Sequence, residues 1–424
     1  MDRNLHKVLL IGLVWPEPDA TAAGIRTMQI LQLFIDLGYQ VTFAATASGT
    51  PYSADLDELG VATAEITLNH PSFDEFIQAL EPDIVVFDRY LTEEQFGWRV
   101  AKMIPDSIRI IDTQDLHSLR NSRQIAVKEE MEFTSAKWLS NEITKRELAS
   151  IFRSDLSLVI SEFEMSFLRE HTPLDASQLY YFPFLYKNID EARRNTWSPF
   201  EERANFIFIG NGKHAPNVDA ILWLKTAIWP LIRKSVPKAV LRIYGAYLPQ
   251  NILELNDPAN DFHILGWIAG ADTVMQQARV NLVPLRFGAG IKGKLVLALN
   301  CGTPSVTTEL GAEGLFMEND HFCVAGNPED FAKKAIELYR DKSIWQKAQN
   351  YGTHVINEKF KKEEKEQEFN RRILEISRNL SLHRTKNIVG SMLMHHTMAS
   401  TKYLSRWIEL KNSMKAGIND PGTL

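Results

Sequence analysis

Short apolar runs alternate with longer amphipathic stretches along most of the chain. Val8 to Val14 is apolar apart from Gly12, the pattern of a strand buried on both faces. A turn from Trp15-Pro16-Glu17-Pro18 to Ala22-Ala23-Gly24 leads into a helix with Ile25, Met28, Leu31, Phe34 and Ile35 on its apolar side. Gly38 ends that helix, and Tyr39 to Ala45 reads as the second strand of a parallel pair. Further strands are expected at Val61 to Leu68, Asp83 to Phe87, Ile108 to Ile111, Leu156 to Ile160 and Tyr180 to Phe182. Between them lie helices at Ser72 to Leu80, Phe96 to Met103 and Glu162 to Arg169, the last capped by Ser161. Residues 121–152 read as one long polar helix with Met131, Phe133, Trp138, Leu139, Ile143 and Leu148 inward and Arg146 and Glu147 on the surface.

The pattern breaks at Asn188 to Arg203, a charged stretch carrying Pro199, and then resumes. Strands follow at Asn205 to Ile209, Val240 to Tyr244, Phe262 to Leu265, Val280 to Leu285, Pro304 to Thr308 and Phe322 to Val324. Helices are expected at Val218 to Ile228, Ala271 to Ala278, from about Lys294 to Asn300 and at Pro328 to Arg340. Glu358 to Arg372 mixes both charge signs, as a solvated helix with i,i+4 pairs does. Two tail helices follow, Ile388 to Thr397 and Ser400 to Lys411. The second carries a stripe of Tyr403, Leu404, Trp407 and Ile408, expected to pack on the first domain, with a membrane-surface helix as the alternative. The fold class is therefore α/β, two Rossmann-like doubly wound parallel-sheet domains facing a cleft. Residues 1–187 form the first, 188–360 the second, and the helices of 361–424 return to the first.

A chain of 424 residues is long enough for two cores. Its net charge of −6 argues against a dedicated nucleic-acid binder. The two cysteines, Cys301 and Cys323, imply no disulfide framework and fit a reducing cytoplasm. Arg3, His6 and Lys7 before the first apolar run resemble the start of a signal peptide, but the run is short and Pro16 breaks it. No stretch reaches the ~20 apolar residues of a membrane span.

Candidate chemistry concentrates where strands end. Val280 to Leu285 runs into Arg286 and the turn Phe287-Gly288-Ala289-Gly290, then Ile291-Lys292-Gly293-Lys294 at a helix start. Glycines let a ligand approach the backbone, and the free amides of a helix N-terminus favour a phosphate. Arg286, Lys292 and Lys294 add positive charge suited to a diphosphate. An ordinary strand–turn–helix with solvated lysines is the alternative. Gly24 begins the first helix and forms a second loop able to meet a ligand. In the first domain Asp88-Arg89 and Asp112 to Arg120 lie beyond strand ends, where Asp112 and Asp115 serve either a ligand or a helix cap. No G-x-G-x-x-G follows the first strand, so an NAD enzyme is disfavoured.

Several segments together resemble the two-Rossmann-domain glycosyltransferases, family 4 and its group 1 relatives, with the GT-B fold. They are Phe208-Ile209-Gly210-Asn211 with His214, Pro216 and Asn217; Leu265-Gly266-Trp267; Pro284 to Lys294; and Gly311 to Leu315. The tail from His395-His396-Thr397 through Tyr403 and Arg406 to Glu409 also resembles that of some members.

The resemblance implies sugar transfer from a nucleoside diphosphate donor with retention of configuration. It implies no metal and no cofactor beyond the nucleotide sugar itself. On that expectation Gly288, Gly290, Lys292 and Lys294 hold the diphosphate and Gly210, Asn211, His214 and Asn217 line the other side. Gly266 leaves room for the base, and Gly24 meets the donor from the first domain. Asp115 and His117 face the acceptor, His117 as a proton relay.

Members typically carry an E-x7-E pair, whose positions here are Ala289 and Leu297, so Glu313 or Glu309 is the expected substitute for the ribose carboxylate. The family's first-domain histidine appears as Gln114. The expected acceptor is a polysaccharide, lipopolysaccharide or related lipid-linked glycan. The expected setting is the cytoplasm, with peripheral contact at the inner membrane face. A catalytically impaired nucleotide-sugar binder acting as a partner subunit is the alternative, and a nucleotide-sugar epimerase ranks below both.

Overall fold

The computed structural model describes residues 6–316 and 324–418, without the side chains of 396–399 and 415–418. Strands β1 (Lys7–Gly12), β2 (Gln40–Ala45), β3 (Ala62–Glu65), β4 (Ile84–Asp88), β5 (Ile108–Asp112), β6 (Leu156–Val159) and β7 (Leu179–Tyr181) form one sheet in the order β3-β2-β1-β4-β5-β6-β7. Strands β8 (Ala204–Ile209), β9 (Leu241–Tyr244), β10 (Phe262–Gly266), β11 (Ala278–Val283) and β12 (Ser305–Thr307) form a second, in the order β10-β9-β8-β11-β12. Every pairing is parallel, for example Leu9 with Val85 and Val280 with Phe206. Each sheet reverses its winding once, between β1 and β4 and between β8 and β11. In sheets of this kind ligands bind beyond the strand ends at that point.

Strand β4 shows why the sheets form. All five of its residues are buried. Val85 and Phe87 pack with Phe73 and Phe96 on one face, while Ile84 and Val86 pack with Leu31 and Phe34 on the other. Helices therefore cover both faces, as an unbroken apolar strand demands. The first of them, Ala22–Asp36, is started by Thr21, whose hydroxyl accepts the Gly24 amide at 2.8 Å.

Several elements differ from expectation for identifiable reasons. Residues 121–152 are not one helix but the helices His117–Lys128, Ser135–Ser140 and Glu142–Arg153. Glu130 adopts a left-handed backbone that stops the first, and Thr134 and Asn141 cap the next two. Glu147 is buried, not on the surface. Ser161 precedes the helix Glu162–His171 without a side-chain cap bond. The helix Ala215–Trp223 loosens into a π-helical turn over Leu224–Ile228, just before Pro230, whose ring nitrogen cannot donate to the preceding turn. Val324 bridges Thr307 in parallel, whereas Phe322 and Cys323 lie outside the described residues.

The chain then returns to the first sheet. The helix Lys362–Arg378 keeps surface pairs such as Lys362–Glu366, yet it buries Phe369, Ile373 and Ile376 beside Val8, Phe34 and Phe182. Arg384 grips both carboxylate oxygens of Asp155, at 2.8 and 2.7 Å. The tail forms one continuous helix, Ile388–Ile418, rather than two. It sits on the first domain through Ser405, which bonds Asn69, and through Glu409, which pairs with Arg99. Tyr403, Leu404 and Trp407 are exposed, contrary to the packing expected of that stripe.

Candidate active site

The loop after β5 is held from several sides. Arg26, on the first helix, bonds Asp112 at 2.8 and 3.1 Å and donates to the Phe182 carbonyl at 2.6 Å. Gln114, in a left-handed backbone, donates to Asp88 at 3.0 Å. The helix His117–Lys128 then begins without a cap of its own. Carboxylates from elsewhere satisfy its free amides: Glu147 accepts from His117 and Ser118 at 2.8 and 3.0 Å, and Glu164 accepts from Leu116 at 2.8 Å. This presents Asp115 and His117 together, with Asp115 paired to Arg120 and lying 3.3 Å from His117 Nε2.

The glycine–lysine loop of the second domain meets this loop directly. Gly290 has φ +65, and a Cβ there would lie 2.8 Å from the Asp115 Cβ, so only glycine fits the approach. The same Glu164 oxygen that holds Leu116 also accepts the Gly290 amide at 2.8 Å, tying both loops to one atom. Arg123 of the first domain forms a two-point pair with Glu313, both bonds 2.7 Å, and donates to the Gly288 carbonyl at 2.9 Å. Ala289 enters the first domain's apolar cluster beside Leu116 and Leu119. On the other rim Asn211 and Trp267 donate to the Ala20 and Asp19 carbonyls at 3.2 and 3.1 Å, and Tyr247 donates to Glu17 at 2.8 Å. The two domains are thus closed on each other.

Burial sets the charge states. It pushes His117 and His214 down to about 3 each, assisted by Arg120, so both imidazoles are neutral near pH 7. Asp115 is raised by burial, but Arg120, His117 and His214 outweigh that and hold it well below the carboxylate range. Burial, with Asp115 nearby, raises Glu164 to about 8, and burial raises Glu147 to about 7. Lys292 is lowered by burial to about 8 and donates to the Gly290 carbonyl at 2.6 Å. Lys294 is lowered by burial to about 7; its ammonium bonds Asn217 and lies 4.3 Å from the centre of the Phe208 ring.

Not every sequence candidate joins this cluster. Arg286 forms a two-point pair with Asp219 and lies over Trp223, so its charge is spent on its own domain's surface. Glu313 is engaged by Arg123 rather than left open for a ribose. Gly24 backs onto Glu17, whose backbone a Cβ would strike at 2.3 Å. Packing within the first domain therefore accounts for that glycine. Gly210 fits against Asn217 and Phe208, whereas Gly266, with φ +75, faces open space. Asn217 donates to the Asn211 carbonyl at 2.9 Å and so holds that turn. The residues missed in the sequence are Arg26, Arg123, Glu147 and Glu164. All are charged groups on helices, where periodicity gives no sign of burial.

Residues 203–341 match the family model described as Glycosyl transferases group 1. Among solved structures the chain is similar to sucrose-phosphate synthase from Thermosynechococcus elongatus, at 14% identity and a TM-score of 0.66, covering 88% of this chain and 99% of that one. The pneumococcal O-GlcNAc transferase GtfA in complex with UDP and GlcNAc is similar at 11% identity, TM-score 0.65, with 88% and 99% covered. Anabaena HepE in complex with UDP and glucose is similar at 11%, TM-score 0.63, with 87% and 99% covered. The fold is GT-B.

No curated protein matches the sequence. In this GT-B chain the two positions of the usual glutamates are apolar for different reasons. Ala289 sits inside the neighbouring domain's core, and Leu297 packs on a cluster with Ile207, Tyr244 and Cys301. Among the described residues no helix is long and apolar enough to cross a membrane.

Proposed function

We propose that the chain transfers a glycosyl group from a nucleoside diphosphate sugar to a polysaccharide, lipopolysaccharide or related glycan, with retention and without a metal, in the cytoplasm. One observation carries this reading: a glycine turn backed by two desolvated lysines, Lys292 and Lys294, pressed against the Asp115–His117 loop of the other domain. In this reading the amides of Gly288 and Gly290 and the two ammonium groups take the diphosphate and stabilise the charge that grows on it as the sugar departs. Gly210, Asn211, His214 and Asn217 form the adjoining wall, and Gly266 leaves room for the base. Neutral His117, oriented by anionic Asp115, accepts the proton of the acceptor hydroxyl. Glu164 holds the Gly290 amide in the closed form, so donor entry requires the domains to part and that amide to exchange partners.

The test is turnover and thermal shift against a panel of UDP-, GDP- and ADP-sugars, with Lys292→Ala as control. Transfer from one donor that the substitution abolishes is expected; no binding and no turnover with any donor refutes the reading. Leu297 favours a second reading, a donor binder without catalysis, because no carboxylate stands at that helix position. Under it Leu297→Glu raises donor affinity without producing turnover.

A further inference from the structure

The terminal helix Ile388–Ile418 leaves much of its length uncovered. Ile388, Met392, Tyr403, Leu404, Trp407, Leu410 and Met414 are all between 58% and 66% exposed. At 100° per residue all except Leu404 fall within one side of the helix. Side chains this large and apolar, grouped rather than scattered, mark a contact surface.

Charge identifies what covers it. Lys402, Arg406 and Lys411 flank the apolar face, Lys402 lying over the Tyr403 ring and Lys411 over the Trp407 ring. Glu409, the helix's one acid, is turned inward to Arg99. The exposed side of this helix is therefore cationic in a chain whose net charge is −6. Tyr403, Trp407, Leu410 and Met414 are spaced by four, three and four, which would also suit a helix of a second copy. A second copy would, however, bring Arg406 and Lys411 against their own counterparts, a like-charge arrangement that opposes pairing. An anionic bilayer surface has no such conflict. Aromatic rings and lysine stems reach the headgroup boundary, and the cations meet lipid phosphates.

We propose that the exposed face of the helix Ile388–Ile418 is a binding surface for anionic lipid bilayers. The face belongs to the first domain's side of the molecule, through the contacts of Ser405 and Glu409. Neither contact partner, Asn69 or Arg99, is among the proposed donor-site residues, and binding there needs no catalytic activity.

The experiment is co-sedimentation of the full chain with vesicles of phosphatidylglycerol and phosphatidylcholine, compared with phosphatidylcholine alone. Binding to the anionic vesicles, weakened by added salt, is expected. The triple variant Tyr403→Ser, Trp407→Ser, Leu410→Ser should bind at least about tenfold more weakly. Separately, Lys402→Glu, Arg406→Glu, Lys411→Glu together should reduce binding about a hundredfold. These side chains are at the surface, and an unchanged melting temperature certifies the fold of each variant. No binding by the wild-type chain, or equal binding by folded variants, overturns the proposal. A concentration-dependent dimer that the first variant makes monomeric also overturns it, in favour of a second copy.

Discussion

Replacing Lys294 by Met separates the energy of holding a cation in the cleft from the energy of binding an anion there. Burial lowers the amine from its ordinary 10.5 to about 7. At 1.36 kcal/mol per pKa unit that is a gross penalty of ~5 kcal/mol for the charged form. The side chain keeps some contact with water, which screens part of this. The substitution also removes the hydrogen bond to Asn217, worth about 1 kcal/mol. A net gain of ~1–3 kcal/mol in ligand-free stability at pH 7 remains. The sign is fixed by proton binding. Between pH 7 and 10.5 the unfolded lysine keeps its proton while the folded one releases it, so native stability rises with pH through that window. Lys292, lowered to about 8, adds to the same rise. Lys294→Met should therefore melt higher at pH 7, show a shallower rise towards pH 10, and lose the stabilisation by UDP or GDP that the proposed donor site predicts for the parent. Urea unfolding at four or five pH values, with and without nucleotide, measures all three. A variant that is less stable at pH 7 and still responds fully to nucleotide refutes the assignment of a desolvated, anion-seeking lysine.

Glu164 gives the opposite slope. Its carboxyl is raised from 4.5 to about 8, so stability falls as pH rises through that interval. Glu164→Gln should abolish the fall in urea titrations at pH 5 and 8, whereas Glu164→Ala leaves the Leu116 and Gly290 amides unpaired and costs ~1–3 kcal/mol for each that stays dry. Ala289→Glu puts an unpaired carboxylate into the cluster around Leu116, at roughly 3–5 kcal/mol if the domains stay closed. Small-angle scattering should instead show a larger radius of gyration, as the loops separate to let it reach water.

How much of this was legible depended on whether local pattern or distant geometry decides a residue's place. Strand β4 was legible because burial on both faces leaves only apolar residues in a row. The helix Pro328–Arg340 has the bounds its sequence implies, because Asn327 caps it and Pro328 suits its first turn. The closed loop pair was legible in part, since glycines and lysines cluster in Gly288 to Lys294. The same reasoning grouped Arg286 with Lys292 and Lys294, yet Asp219 neutralises Arg286 from a helix sixty-seven positions earlier in sequence. Glu147 read as a surface charge and Glu164 drew no notice, because nothing local says that backbone amides elsewhere await them. The stripe at Tyr403 was legible as a stripe, but its exposure depends on which side of the helix Ser405 and Glu409 anchor.

The missing E-x7-E pair becomes intelligible in the same terms. A glutamate at position 289 would enter an apolar cluster of the opposite domain, so closure itself selects a small residue there. Carboxylates have not left the region. Glu164, supplied by the first domain, takes the Gly290 amide, and Glu313 is held by Arg123 across the cleft. Both of these contacts join one domain to the other, whereas a carboxylate at Leu297 would stay within the second. In this chain the acidic groups near the glycine turn therefore act on domain closure. If closure and donor binding compete for the Gly290 amide, Glu164→Gln should change donor affinity, since the Glu164 carboxyl holds that amide in the closed form. Calorimetric titration of parent and variant with the same nucleotide decides it, and equal affinities would detach closure from binding.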